Sequence, residues 1–181
     1  MRMTHSPESR GARCKSPRLR GYDYTAGGTY FITVCTEGRR NILNDPEMIE
    51  MITSEWRGLE DRFTRAIPDI SVVMPNHFHG VLFLSPRSAN PDAKEGLADI
   101  VRVFKSVTTV IYFRSRGCQI RANDRHRLWQ RSYHDRIIRN DTELARIREY
   151  IASNPDKWDL DRENLDRVDE NNFYDWLSAQ D

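Results

Sequence analysis

The sequence predicts an α+β fold, an antiparallel sheet with helices on one face and a further helix at the C-terminal end. Three observations point there. Short runs rich in β-branched and aromatic residues alternate with amphipathic segments. Their order is β-α-β-β-α-β-α. The 181 residues suit one domain with tails, but fall short of the roughly 200 that a (β/α)8 barrel needs.

After Gly27-Gly28, the run Thr29 to Cys35 reads as a strand, closed by a turn at Glu37 to Arg40. Asp45 is placed to cap a helix with Pro46 in its first turn. Met48, Ile49, Ile52, Trp56, Leu59 and Phe63 follow at helical spacing, and Pro68-Asp69 is expected to stop that helix. Ile70 to Met74 and His77 to Leu84 read as a hairpin or kinked strand pair, broken at Pro75-Asn76. A polar loop, Ser85 to Glu95, leads to a second helix marked by Leu97, Ile100, Val101, Phe104, Thr108 and Ile111, ending near Gly117. Past a basic loop, Leu128 to Ile138 reads as one more strand. Asn140 or Asp141 starts the last helix, which Asn154-Pro155 stops. The first six elements form the split βαβ, or ferredoxin-like, pattern.

The net charge of +1 hides a strong asymmetry. Residues 1–20 carry six basic residues and one acid, and read as a flexible basic arm. Residues 96–139 carry ten Arg or Lys and three acids; residues 155–181 carry nine acids and three basic residues. A basic middle suits a polyanionic partner, or simply a solvated face. The expected division is an arm at 1–20, a domain at 21–158 and an acidic tail at 159–181, in which Phe173, Tyr174, Trp176 and Leu177 dock late. Cys14, Cys35 and Cys118 are widely spaced without a CxxC pair, which argues against a disulfide framework and fits a reducing cytoplasm. No apolar run approaches the ~18 residues of a membrane span.

Two segments carry chemistry. In Asn76-His77-Phe78-His79-Gly80, residues i and i+2 of a strand share a face, so His77 and His79 present two imidazoles side by side while Phe78 points away. Such a pair is half of a metal site, or two unrelated strand histidines satisfied locally. In Tyr150-Ile151-Ala152-Ser153-Asn154, residues i and i+4 of a helix share a face. Tyr150 is then a covalent nucleophile in need of activation, with Asn154 offering an oxygen to a hard metal, or a rim tyrosine with a capping asparagine. Of the chain's tyrosines, Tyr150 has the metal-competent neighbour one turn away.

The chain resembles the HUH single-strand DNA transposases, most of all the REP-associated tyrosine transposases (RAYT). The stretches that carry the likeness are Gly28 to Thr33, Met74-Pro75-Asn76-His77-Phe78-His79, Val103-Phe104-Lys105-Ser106, Leu128 to Tyr133 with Ile138-Arg139, and Glu149 to Pro155. They stand in the family's order over residues 21–158. The resemblance implies a divalent metal, Mg²⁺ or Mn²⁺, on His77 and His79, with Tyr150 as nucleophile. Asn154 stands where related transposases often carry Gln as a third ligand. It implies single-stranded DNA hairpins, REP-like palindromes, as partners, cut through a 5′-phosphotyrosine intermediate. The setting it implies is the bacterial cytoplasm at the nucleoid, with the protein a monomer or a homodimer. The grip on DNA is expected from Arg102, Lys105, Arg114, Arg116, Arg121, Arg125, Arg127 and Arg131, with Trp129 and Tyr133 as stacking faces; the other readings are a solvent-exposed helix lysine for Lys105 and core packing for Trp129. The alternative is a DNA-binding regulator that has lost catalysis.

Overall fold

The computed structural model describes residues 21–87, 95–118 and 127–166. Four strands, β1 (Gly28–Cys35), β2 (Ala66–Met74), β3 (His77–Leu84) and β4 (His134–Ile138), form one antiparallel sheet in the order β2-β3-β1-β4. The helices are α1 (Pro46–Arg57), a single turn α2 (Leu59–Arg62), α3 (Leu97–Ser115) and α4 (Asp141–Ser153). This is the ferredoxin-like α+β arrangement, with β3 between the parallel-running β1 and β2.

Side chains alternate across the sheet and build a core on each face. Tyr30, Ile32 and Val34 of β1 and Phe78 and Leu82 of β3 pack against α1 and α3, through Ile52, Trp56, Ile100 and Phe104. Phe31 of β1 and Val81 of β3 pack against Ile147, Tyr150 and Ile151 of α4. So α1 and α3 cover one face, α4 covers the other, and the period-two rule sends His77 and His79 to the α4 face. Both α1 and α4 start as the sequence indicates. Asp45 accepts a hydrogen bond from the Glu47 amide at 3.0 Å, and Asn140 accepts one from the Glu143 amide at 2.8 Å.

Three boundaries differ from expectation. The first helix breaks at Gly58, whose ψ of 2° leaves the helical range, before the single turn of α2. Pro68 does not end a helix; it lies inside β2, at a register shift between Pro68 and Ser71. Pro has no N–H to give a ladder, and β2 is an edge strand with an irregularity, where that donor is not missed. The last strand is short: it begins at His134, while Leu128 and Trp129 enter the core from a loop that touches β1 through a Thr36–Trp129 bridge.

Gly80, next to His79, is required by space. A Cβ there would come within 2.7 Å of Trp56 Cζ2 and 2.8 Å of Phe78 Cε1, and Trp56 is fully buried. Gly80→Ala is expected to cost about 1–3 kcal/mol through overpacking under the histidine strand. Urea unfolding would check it; an unchanged midpoint would mean that Trp56 yields freely.

Candidate metal and tyrosine site

Residues 77–79 and 150–164 meet on the α4 face of the sheet. His77 and His79 are fully buried, their ring centroids 4.3 Å apart. Tyr150 lies over them: its hydroxyl is 3.3 Å from His79 Nε2 and donates to Asp161 Oδ2 at 2.9 Å. The ligand atoms of His77, His79 and Asp161 lie within 4.8 Å of one another. The histidine pair and the tyrosine singled out in the sequence are thus in contact.

Asp161 went unnoticed in the sequence. It falls in the stretch expected to be tail, yet it is fully buried, and Glu163 and Asn164 are buried with it. The packed part of the chain therefore runs past residue 158, at least to Asn164. The cause is local. Asn154 is the C-cap of α4 in helical geometry, and its carbonyl accepts from the Lys157 amide at 3.0 Å. A 3-10 segment, Pro155–Leu160, then turns the chain back over the site. Asp161 Oδ1 accepts from the Glu163 amide at 2.7 Å, and the Glu163 carboxylate meets Arg39 Nη2 at 2.9 Å.

The hydrogen bonds set the His77 tautomer and orient His79. Asn76 Nδ2 donates to the Glu163 carbonyl at 2.7 Å, so Asn76 Oδ1 is the atom 2.8 Å from His77 Nδ1. That oxygen can only accept, so His77 carries its proton on Nδ1 and Nε2 is a bare lone pair. His77 Nε2 is buried without a hydrogen-bond partner, 3.9 Å from Asp161 Oδ2. His79 Nδ1 faces Thr33 Oγ1 at 2.9 Å, and its Nε2 lies 3.3 Å from the Tyr150 oxygen, whose own proton goes to Asp161; when Nδ1 donates to the threonine hydroxyl, Nε2 is a bare lone pair.

Burial, and after it the nearby Arg39 guanidinium, pushes the His77 imidazole down to about 3. Burial, then the neighbouring His77, holds His79 well below its usual range. Both rings are neutral at pH 7. On unfolding in acid they take up protons that the folded state excludes, so the unfolded chain binds more protons and stability rises with pH. The contribution is complete above about 6.5, the unperturbed value, and fades as pH falls toward 3. Thermal melts in chelator should show that loss between these limits, and it should flatten in His79→Gln; a variant slope equal to wild type would sink the assignment.

The donor set fits a divalent ion. Two imidazole nitrogens and a carboxylate suit Mn²⁺ and related metals. Among the described residues no Lys or Arg pairs with Asp161, so a buried anion stands beside two neutral rings. Asn154, 2% exposed, leaves both side-chain polar atoms without a hydrogen-bond partner. A buried carboxylate without a cationic partner and the orphaned lone pair of His77 Nε2 are costly alone and satisfied by a cation.

The expected DNA contacts divide. Arg102, Arg114, Arg116, Arg127 and Arg131 are exposed, and the Arg116 guanidinium sits 4.0 Å over the Tyr112 ring. Tyr133 is half-buried. Two expectations need correction. Trp129 is 3% exposed, stacks near Phe104 and donates from Nε1 to Thr108 Oγ1 at 2.8 Å, so it is a core residue with no face for a base. Lys105 gives its ammonium to the carbonyls of Gln130, Arg131 and Ser132 at 2.7, 3.0 and 3.2 Å, so it orders a loop and is not available to a phosphate. Arg121 and Arg125 lie outside the described residues.

A ferredoxin-like sheet that gathers two neutral imidazoles, a carboxylate and a phenol defines a candidate metal centre with a tyrosine in contact. The chain belongs to the family described as "Transposase IS200 like", whose model matches residues 25–154. It is similar, at 26% identity over 175 residues, to an uncharacterized protein of Haemophilus influenzae, covering 84% of this chain and 93% of that one. Its fold is similar to that of a REP-associated tyrosine transposase solved bound to a REP hairpin. That match has a TM-score of 0.56 and 23% identity, and covers 78% of this chain and 73% of the other.

Proposed function

We propose that this chain cuts and rejoins single-stranded DNA, with Tyr150 as nucleophile. The observation that carries the reading is the Tyr150 hydroxyl, 2.9 Å from Asp161 and 3.3 Å from His79, at a cluster able to hold a metal. A tyrosine phenol with its ordinary value near 10 is a weak nucleophile. Asp161 accepts its hydrogen bond and is placed to take its proton. The phenolate oxygen then attacks phosphorus, the bond from phosphorus to the 3′-oxygen breaks, and that oxygen takes up the proton the carboxylate received and leaves as a 3′-OH. The product is a 5′-phosphotyrosine, and attack by a 3′-OH reverses the step and returns the proton. A divalent ion such as Mg²⁺ or Mn²⁺, held by His77, His79 and Asp161 with Asn154 as a further donor, would supply polarisation of the phosphate.

Family membership supports this reading over a metal site of another purpose. The substrate proposed is hairpin DNA with unpaired flanks, met at the bacterial nucleoid; what supports the hairpin is that the REP-associated transposase of similar fold was solved bound to a REP hairpin. Exposed Arg102, Arg127 and Arg131 would hold phosphates; among the described residues no helix is long and apolar enough to cross a membrane. The test is covalent capture. Labelled hairpin DNA incubated with the protein and Mn²⁺, then denatured and digested, should leave nucleotide on the peptide containing Tyr150. Label on another peptide would overturn the choice of nucleophile.

A further inference from the structure

A turn beside the histidine strand carries an arginine that the proposed reaction does not use. β1 ends at Cys35, and the chain then turns through Glu37, Gly38 and Arg39. Arg39 stands at φ 52°, in the left-handed region, directly after Gly38 at φ 69°. Glycine takes that conformation freely, whereas a residue with a Cβ is disfavoured there. Such strain persists where neighbouring contacts impose it, and it collects at functional sites. Here the contacts lead to the candidate centre. The Arg39 carbonyl accepts from Asn76 Nδ2 at 3.4 Å, and Asn76 is the residue whose oxygen orients His77.

The side chain leads to the same place. Arg39 Nη2 meets Glu163 Oε2 at 2.9 Å. Glu163 is fixed from three sides: its amide donates to Asp161 Oδ1, its carbonyl accepts from Asn76 Nδ2, and Cys35 Sγ donates to Oε2 at 3.3 Å. It stands two residues from Asp161, at most about 7 Å along the chain. The guanidinium is therefore held beside the candidate centre, near enough for its charge to be felt at His77. The Glu163 side chain is 6% exposed and that of Arg39 33%, so the pair runs from the interior to solvent. One nitrogen is spent on Glu163; among the described residues no hydrogen bond engages Arg39 Nε or Nη1. A planar cation with donors to spare, fixed beside a phenol and a candidate metal centre, suits a phosphate, which takes two parallel N–H bonds from one guanidinium.

We infer that Arg39 binds a non-bridging oxygen of the scissile phosphate, with Glu163 holding the guanidinium in position. Charge that builds on the phosphate as Tyr150 attacks then meets a fixed cation. This rests on the proposed reaction with single-stranded DNA, but the first arm of its test reads binding alone.

Hairpins with unpaired flanks, each carrying one uncharged methylphosphonate at a successive linkage, are bound in chelator. Wild type should lose about tenfold in affinity at one particular linkage, the scale of one charged hydrogen bond. Arg39→Gln should lose nothing further there, while matching the losses of wild type at the other linkages. Glu163→Gln keeps an oxygen for Arg39, so in that variant the effect should persist. Arg39→Lys keeps the charge without the planar fork and should show a smaller effect at the same linkage, which keeps the test sound if Arg39→Gln fails to fold. With Mn²⁺, Arg39→Gln should form adduct about 100-fold more slowly, the scale of one lost donor to developing charge, and Glu163→Gln should stay near wild type. Equal losses in these two variants would make the pair a brace for the fold and overturn the inference. So would a methylphosphonate pattern that Arg39→Gln and Arg39→Lys leave unchanged, or an effect at a linkage other than the one joined to Tyr150. A linkage-specific effect in a protein that forms no adduct would refute the nuclease reading and leave Arg39 as a phosphate ligand. Adduct formation indifferent to Arg39 would do the reverse.

Discussion

Tyr150→Phe is expected to remove the covalent protein–DNA product, by on the order of 10³-fold or more, while the folded protein and its hold on hairpin DNA persist. The substitution takes one oxygen and leaves the ring. That ring packs edge-on to Phe31 at 6.2 Å and to His79 at 5.4 Å, beside Ile147 and Ile151, and these ring contacts do not need the hydroxyl. The structural cost is the hydrogen bond to Asp161, about 1 kcal/mol. Product formation should therefore collapse without a matching loss of melting temperature or of Mn²⁺ binding. The measurement is adduct yield on denaturing gels against hairpin affinity by anisotropy. A catalytically silent regulator would give no adduct from wild type either, with both proteins binding alike. Adduct formation surviving in the variant would remove Tyr150 from the reaction.

What could be read from the sequence follows from how local each signal is. His77 and His79 share a face because a strand repeats every two residues, and Tyr150 stands on a helix whose apolar side is fixed by Ile147 and Ile151; short-range periodicity suffices for both. Asp161 has no such signal. It is one of nine acids in residues 155–181, and only the 3-10 turn after Pro155 carries it back to the histidines. Asn76 sets the His77 tautomer and Thr33 holds the His79 ring through contacts that no spacing predicts, Thr33 from 46 residues away. Spacing likewise leaves Lys105 and Trp129 open between a DNA contact and a structural role. A lysine in a basic stretch looks like a phosphate contact until its three carbonyl partners, 25 to 27 residues on, are seen. Pro68 misled because an edge strand tolerates what a central strand does not.

Asp161→Asn separates a metal ligand from a packing residue, and it should move two quantities in opposite directions. In chelator the wild type buries a carboxylate among neutral groups, held by the Tyr150 hydroxyl and the Glu163 amide. The amide keeps an oxygen for the Glu163 N–H and removes the unpaired charge, so metal-free stability should hold or rise. Binding of Mn²⁺ should weaken by about 100-fold or more, since even partners one shell beyond a metal are worth 10–100-fold in affinity. Linkage converts that into a melting experiment. At a Mn²⁺ concentration 100 times the wild-type Kd, the ion stabilises wild type by about 2.7 kcal/mol; for a variant weakened 100-fold the same concentration yields about 0.4 kcal/mol. The ion-induced rise in melting temperature should thus nearly vanish in a protein that is otherwise no less stable. If the substitution instead destabilises the metal-free protein and the Mn²⁺ shift survives, Asp161 serves the fold, and the ion, if bound, is held by the imidazoles without it.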